Sequence, residues 1–500
     1  MESEIKLVAF YLPQFHPIPE NDEFWGKGFT EWSNVTRGKP LYPGHLQPRL
    51  PGELGFYDLR LPEVADKQAE LAKEYGLHGF CYYYYWFAPE KTLLERPLKQ
   101  MLQNPQTDLP FCLCWANENW TRRWDGSEDE ILVKQNYTDD FAESFIESLL
   151  PYFRDDRYIR VDGKPVLLVY DTRQFADIRK STSIWRKLVR AAGFEDIFLI
   201  RCNTFVGQAY EIDPKVQGFD ACVEFPPHGT ITAQLPIIES ERESDEESAT
   251  VFDQETVVFN SITRAPHSYE LFRTLFPSWD NTPRKQQSAT IFFGSTPALY
   301  KQWLSGLIAW TKRHNPSDRQ IIFVNAWNEW AEGAVLEPDK EHGRKYLEAT
   351  KEALDSQSLY YERGTAAHLA ALVNDCTLSP HLRPVTAGKQ LNQSEQIVCE
   401  LEQVGFGESG FYLEGYAFVK NKKALLAIVV FDGEELVGSA INTIYRADLG
   451  ERFGAQSLRS GFSLHLPKFM RSKGPVRVFA LGEDFIFQNV ERNLALSLES

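Results

Sequence analysis

Short apolar runs alternate with helix-like segments from the N-terminus to about residue 355, and this alternation limits the fold more than any other feature. The runs Lys6–Leu12, Gly79–Tyr85, Pro110–Trp115, Val166–Tyr170, Ile197–Cys202, Asp220–Phe225, Leu275–Trp279 (the weakest) and Ile321–Ala326 read as strands. Their near-continuous apolar character suits a parallel sheet covered on both faces. Helix-like stretches at Pro62–Tyr75, Thr92–Leu102, Asp139–Phe153, Ser181–Ala192 and Pro297–Lys312 lie between them, with Pro62 and Pro297 where proline opens a helix. Eight strand–helix units predict a (β/α)8, TIM-like barrel. A doubly wound sheet would place a Gly-rich phosphate loop after the first strand, whereas Pro13-Gln14-Phe15-His16-Pro17 stands there.

Two long insertions interrupt the pattern. His16 to Leu61 is irregular and rich in Pro and Gly, and Thr230 to Thr256 carries the acidic run Glu239–Glu247. Long loops on a barrel commonly build or cover its site, although a solvated loop suffices to explain the acidic run. After a helical stretch at Tyr346–Ser356 the chain turns polar, and then a different pattern begins. Phe411–Phe418, Ala424–Phe431, Leu436–Ile441, Gly461–Leu466 and Val476–Leu481 read as strands, with Asp432-Gly433 as a hairpin turn. The expected organisation is a catalytic barrel over residues 1–356, a linker at 357–394 and a small all-β sandwich at 395–500.

A net charge of −17 argues against nucleic acid and against an anionic membrane surface as partners. No apolar stretch reaches the ~20 residues that a transmembrane helix needs. The seven cysteines lack zinc-type spacing, and Cys112 and Cys114 on one strand face read as buried apolar fillers. An odd cysteine count and a start without a secretory leader, Met1-Glu2-Ser3-Glu4-Ile5-Lys6, lead to the expectation of a cytoplasmic protein.

The last strand-like run ends in Asn325-Ala326-Trp327-Asn328-Glu329-Trp330-Ala331-Glu332-Gly333. Two carboxylates three residues apart repel, so one keeps its proton near neutrality while the other ionises. Flanked by Trp327 and Trp330, such a pair suits acid–base chemistry at an acetal carbon, though two glutamates also favour a helix start for its dipole. The third strand ends similarly, in Trp115-Ala116-Asn117-Glu118, and the second in Tyr85-Trp86. Tyr11, Gln14, His16, Glu31 and Trp32 follow the first strand; Trp279, Asp280, Asn281 and Arg284 form another polar and aromatic set, with Asn325 beside the glutamate pair. Facing one cavity, these groups would hold a sugar, with polar edges for hydroxyls and π faces for C–H patches. Nucleophile elbow, Walker A loop and zinc-protease helix are all missing, and His16, His45 and His78 are too dispersed for a metal triad.

Five ordered motifs carry a resemblance: Tyr11–His16, Gly28–Trp32, Trp115–Glu118, Trp279–Thr282 with Arg284, and Asn325–Gly333. Together they resemble the WbsX-type glycosyltransferase family, which is related to the family 99 glycoside hydrolases, endo-α-mannosidases and endo-α-mannanases among them. The resemblance spans about residues 5–355. Arg446-Ala447-Asp448 and Ser460-Gly461-Phe462 resemble β-rich modules found beside bacterial glycosyltransferases.

The resemblance implies a retaining reaction on α-mannosidic bonds. Glu329 would act as base on the sugar 2-hydroxyl to give a 1,2-anhydro intermediate, and Glu332 as acid to the leaving oxygen. Asn328 and Ala331 depart from the Thr and His expected in the hydrolases. The expected function is cleavage or transglycosylation of α-linked, mannoside-like glycan in bacterial surface-polysaccharide metabolism, with no cofactor and an oligosaccharide or polysaccharide as substrate. A WbsX-type glycosyltransferase in O-antigen or capsule biosynthesis and a non-catalytic glycan-binding protein are the alternatives.

Overall fold

The computed structural model describes residues 5–122, 127–135, 137, 141–204, 212–229, 249–264, 266–356, 366–374, 376–378, 384–386, 389–390, 392–407, 410–422, 424–432, 435–442, 444–445, 447–457, 459–466, 476–482 and 486–489. The acidic run Glu239–Glu247, Gly433 of the expected hairpin turn and Arg446 lie outside them. The chain divides into two compact units. The first comprises Met1–Gly229, Arg242–Thr250 and Pro266–Gln357; the second comprises Thr230–Glu241, Val251–Ala265 and Ser358–Ser500.

The first unit is built on a closed parallel barrel. Its strands are β1 (Lys6–Tyr11), β2 (Gly79–Ala88), β3 (Phe111–Trp115), β4 (Lys164–Val169), β5 (Phe198–Asn203), β6 (Ala221–Glu224), β7 (Leu271–Leu275) and β8 (Ile321–Val324). Each pairs in parallel with the next, and β8 returns to β1 with Lys6 opposite Ile321. Helices Pro62–Glu74, Arg96–Gln103, Phe141–Phe153, Ile178–Ala191, Pro297–His314 and Lys345–Asp355 belong to the same unit.

Seven strands fall where the apolar runs predict them, within a few residues. The seventh does not: β7 precedes the expected Leu275–Trp279, which instead leads into the following loop. The strand has five residues and two of them, Arg273 and Thr274, are polar, which breaks the apolar run. Arg273 in mid-strand donates to Glu224 of β6 at 2.9 Å and lies 4.5 Å from the Trp310 ring centroid, so a residue that reads as polar is fully interior.

Alternation decides what the strands show to each side. On β2, Tyr82 turns outward to Tyr11, with ring centroids 4.4 Å apart, while Tyr83 turns inward beside Phe10. Phe10 also packs on Phe225 at 4.9 Å and on Phe323 at 5.5 Å, making an aromatic layer inside the barrel. Cys112 and Cys114 are buried free thiols, and Cys114 Sγ lies 4.0 Å from Cys202 Sγ.

In the second unit, two sheets share one core. Strands Ile397–Gly407, Gly410–Val419 and Arg459–Leu466 pair antiparallel in one sheet; Leu426–Asp432, Glu435–Ile441 and Val476–Gly482 do so in the other. Leu401, Leu413, Ala417 and Phe462 of the first sheet meet Ile428, Val430, Val478 and Ala480 of the second, the interdigitation of a small β-sandwich. The helix Gln254–Ile262, between β6 and β7 in sequence, belongs to this unit and packs beside the helix Ala366–Asn374.

Candidate active site

The carboxylate pair is set by a hairpin at the end of β8. Asn328–Glu329 pairs antiparallel with Ala334–Val335, and Trp330–Glu332 makes the intervening 3-10 turn. Gly333 closes it at φ +65°, where a Cβ would stand 3.0 Å from the Asp280 nitrogen and 3.1 Å from its oxygen. Only glycine meets both demands. The turn is anchored from outside: Asp280 N–H donates to the Glu332 carbonyl at 2.7 Å, while Arg49 and Ser278 donate to the Gly333 carbonyl at 2.9 and 2.6 Å. Asn328 ties the hairpin to the end of β1, its Oδ1 accepting from Leu12 N–H at 2.7 Å and its Nδ2 donating to Leu12 O at 3.0 Å.

Arg284 holds both members of the pair. Its Nη2 donates to Glu329 Oε2 at 2.9 Å and its Nη1 to Glu332 Oε1. From the opposite side it donates to Glu31 Oε1 through Nε at 3.0 Å and Nη2 at 2.6 Å. Glu31 opens the helix α2 (Glu31–Val35), capped by Thr30 and Ser33, and is wholly buried. One guanidinium therefore serves three carboxylates. Burial pushes the Glu329 carboxyl up to about 8, the Glu332 charge adds to the shift, and Arg284 opposes it. Burial raises Glu332 as well, with Arg284 opposing and Glu31 adding. The pair thus retains a proton near neutrality and titrates as a unit. The Glu329 side chain is 7% exposed and that of Glu332 22%, so Glu332 is the member more open to the cleft.

That cleft has a volume of about 390 Å3, within the range of small-ligand sites. The structure brings Gln14, Tyr85, Glu118, Trp279, Asn281, Arg284, Glu329 and Glu332 to its wall, although they come from five separate parts of the chain. Tyr83, Tyr170 and Phe225 also line it, and Trp120 contributes another ring, edge-on to Tyr85 at 5.6 Å.

The remaining sequence candidates lie behind this wall. Tyr11 donates to Gln68 Oε1 at 2.7 Å, Trp32 donates to Tyr57 O at 2.8 Å, and Trp115 donates to Trp86 O at 2.9 Å while packing on Phe145 with the rings tilted. His16 is buried, and burial holds its imidazole below the ordinary value. Asn117 joins two loops, with its Nδ2 donating to Asp171 O and its Oδ1 accepting from Asp171 N–H. Asp280 takes hydrogen bonds from His45 at 2.7 Å and Gln47 at 2.5 Å; with those of Thr282 they overcome the opposing effect of burial and hold its carboxyl below the usual range. Asn325 donates to Pro226 O, and Trp327 packs on Phe80 with no exposed surface. Trp330 donates to Glu337 Oε2 at 2.7 Å.

Two components carry no sequence signal that singles them out, Glu337 and Asn21. Glu337 is a buried carboxyl under the hairpin that also accepts from Tyr57 and Gln68, and nothing in its local sequence signals that role. Asn21 and Trp25 line the cleft from the seven-residue helix α1 (Pro19–Trp25), inside a segment that reads as irregular. Their spacing of four, one helical turn, is the only available hint. Among the described residues, no three His, Cys, Asp or Glu side chains gather as metal ligands, and no helix is long and apolar enough to cross a membrane.

The profile described as Glycosyltransferase WbsX matches residues 7–350. A protein of Xanthomonas campestris pv. campestris (strain B100), described as uncharacterized protein WxcX, is 45% identical over 352 residues, which are 70% of this chain and 49% of that protein. The chain thus spans about half the length of the curated relatives it matches. Similar solved structures include a GH99 endo-alpha-mannosidase from Bacteroides thetaiotaomicron, with 14% identity, TM-score 0.43 and coverage of 70% of this chain and 96% of that one. Another, described as a glycoside hydrolase-like protein, shows 16% identity, TM-score 0.45 and coverage of 71% and 95%.

Proposed function

The chain belongs to the WbsX glycosyltransferase family, and from that premise we propose that it is a carbohydrate-active enzyme that breaks or transfers α-linked, mannoside-like glycosidic bonds with retention. The observation that carries this reading is the joint hold of Arg284 on Glu329 and Glu332 in an aromatic-lined cleft at the end of a barrel strand. Active residues of such barrels sit at that end of the strands. Trp120, Tyr85 and Trp279 supply flat apolar faces for sugar rings, while Glu118 and Asn281 supply polar edges.

In this mechanism the one proton that the coupled pair retains resides on Glu332 once substrate is bound, against the preference that burial gives Glu329 in the empty cleft. The Glu329 carboxylate then takes the proton of the sugar 2-hydroxyl, and O2 attacks C1. The glycosidic oxygen departs with the proton of Glu332. An acceptor hydroxyl, deprotonated by Glu332, then opens the 1,2-anhydro sugar at C1, and O2 recovers its proton from Glu329. Two inversions leave the configuration retained, without a covalent glycosyl-enzyme. The greater exposure of Glu332 suits the member that meets leaving group and acceptor, and the deeper Glu329 suits the member that stays with the ring.

The family is described as a glycosyltransferase, which favours a second reading in which the same machinery transfers a sugar from an activated donor, a sugar nucleotide, to an acceptor glycan. The deciding experiment incubates α-mannoside oligosaccharides and, separately, sugar nucleotides with wild type and Glu332→Gln, with products followed by mass spectrometry. Oligosaccharide cleavage or transglycosylation that disappears in the variant supports the first reading. Product from a sugar nucleotide alone supports the second. Turnover that survives in Glu332→Gln removes the pair from either.

A further inference from the structure

Two buried amides in the cleft wall have unmet hydrogen-bonding capacity. Asn21 is 1% exposed, and neither its Oδ1 nor its Nδ2 has a hydrogen-bond partner among the described residues. Gln14, 3% exposed, has an unpartnered Nε2. Both line the cleft, on the side formed by the end of β1 and helix α1. A buried amide left without partners is costly, and folded proteins satisfy nearly all such groups with protein, water or ligand.

The packing of α1 keeps Asn21 in place. Ile18 and Phe24 join Tyr85, Trp120 and Phe87 in an apolar cluster that fixes the helix against the end of β2. Trp25 stands one turn beyond Asn21 and lines the same cleft. A rigid indole face beside unpaired donors and an unpaired acceptor is the arrangement that holds a sugar, with C–H bonds on the ring and hydroxyls at the amides.

We propose that Asn21, Gln14 and Trp25 form a subsite for an uncharged pyranose, in which the two amides read adjacent hydroxyl groups of a ring seated on Trp25. The proposal rests on the reading of the cleft as a glycan site and adds to it the class of unit taken at this end. The three side chains carry no charge, and the arginine and lysine of the cleft, Arg284 (shared among three carboxylates) and Lys285, belong to the segment that holds the glutamate pair. A uronate or a phosphorylated sugar would bring an anion that Asn21, Gln14 and Trp25 do not neutralise.

The test is saturation-transfer NMR on the full chain with methyl α-mannopyranoside, its monodeoxy analogues and a methyl uronoside. Wild type is expected to bind the mannoside, and at least one single-hydroxyl deletion is expected to weaken binding about tenfold. In Asn21→Leu the mannoside should weaken about tenfold, and that deoxy analogue should suffer no further loss. Its melting temperature should hold or rise, because an unpaired buried amide is replaced by an apolar group. Asn21→Ala gives a second variant of smaller volume.

Unchanged mannoside binding in both variants overturns the subsite while leaving the glycan reading intact, as does uronoside binding as tight as mannoside binding. A fall in melting temperature with no selective loss of one hydroxyl makes Asn21 structural and also overturns it. Failure of every pyranoside to bind wild type overturns the subsite; the glycan reading falls with it only if turnover is missing too.

Discussion

Glu31 and Arg284, 253 residues apart, share two hydrogen bonds of 3.0 and 2.6 Å, both on Glu31 Oε1. Glu31 Oε2 accepts from Asn34 Nδ2 at 3.3 Å. The wholly buried Glu31 fixes the guanidinium from behind and leaves its front to Glu329 and Glu332. The spacing of the carboxylate pair is therefore set by a third carboxylate that does not line the cleft.

That relationship predicts a pH effect. The charge of Glu31 raises both members of the pair, so Glu31→Gln lowers them. Tyr83, Tyr85 and Tyr170, which also interact with the pair, are held neutral by burial. Both limbs of the kcat/KM profile should move to lower pH in the variant, by about one unit. An unmoved profile would refute the electrostatic role, whatever the loss of rate.

Glu332→Gln removes the exchangeable proton and keeps the shape of the side chain. Turnover should fall about 10²–10⁴-fold, with substrate binding within a few-fold of wild type. Initial rates and equilibrium binding with one oligosaccharide separate the two effects. A parallel loss of both would assign Glu332 to binding alone.

Glu337 accepts from Trp330, Tyr57 and Gln68, so its surroundings supply three donors. In Glu337→Gln the amide turns its own N–H groups toward at least one of them, which should cost about 1–3 kcal/mol. Burial pushes this carboxyl up to about 7 despite those hydrogen bonds. Its folded value is raised above the unfolded one, so its contribution is fully present below the ordinary glutamate range and is lost as pH rises through about 7. Melting of wild type should therefore fall from pH 5 to pH 8, and the variant should lose part of that slope.

Gly333→Ala forces an L side chain into φ +65° and against the Asp280 backbone. The expected cost is about 1–3 kcal/mol, read as a lower melting temperature. Activity should fall further than stability accounts for, because the neighbouring residue is Glu332. A variant with normal turnover would show that the turn tolerates the shift.

Much of the barrel was legible because its strands are apolar on both faces, as the buried run of β8 illustrates. The exception, β7, carries an arginine whose partner, Glu224, lies 49 residues earlier, and local pattern holds no trace of such pairing. At the site, residues at strand ends were visible because aromatic and carboxylate groups follow apolar runs, and Tyr85, Glu118, Glu329 and Glu332 do line the cleft. Spacing could not distinguish wall from support. Trp330 and Asp280 look like binding residues in sequence, yet one donates to a buried carboxyl and the other anchors a loop. Asn21 escaped for the opposite reason, as a plain amide on a seven-residue helix within an irregular stretch.

The amide of Asn328 and the backbone of Leu12 join positions 316 residues apart, at the seam where β8 meets β1. During synthesis the first strand waits with one edge unpaired until nearly the whole barrel has left the ribosome. Contacts this distant make closure a late, slow step. The glutamate pair, carried by the strand that closes the seam, can be assembled only at the end, so no partly made barrel carries a finished site.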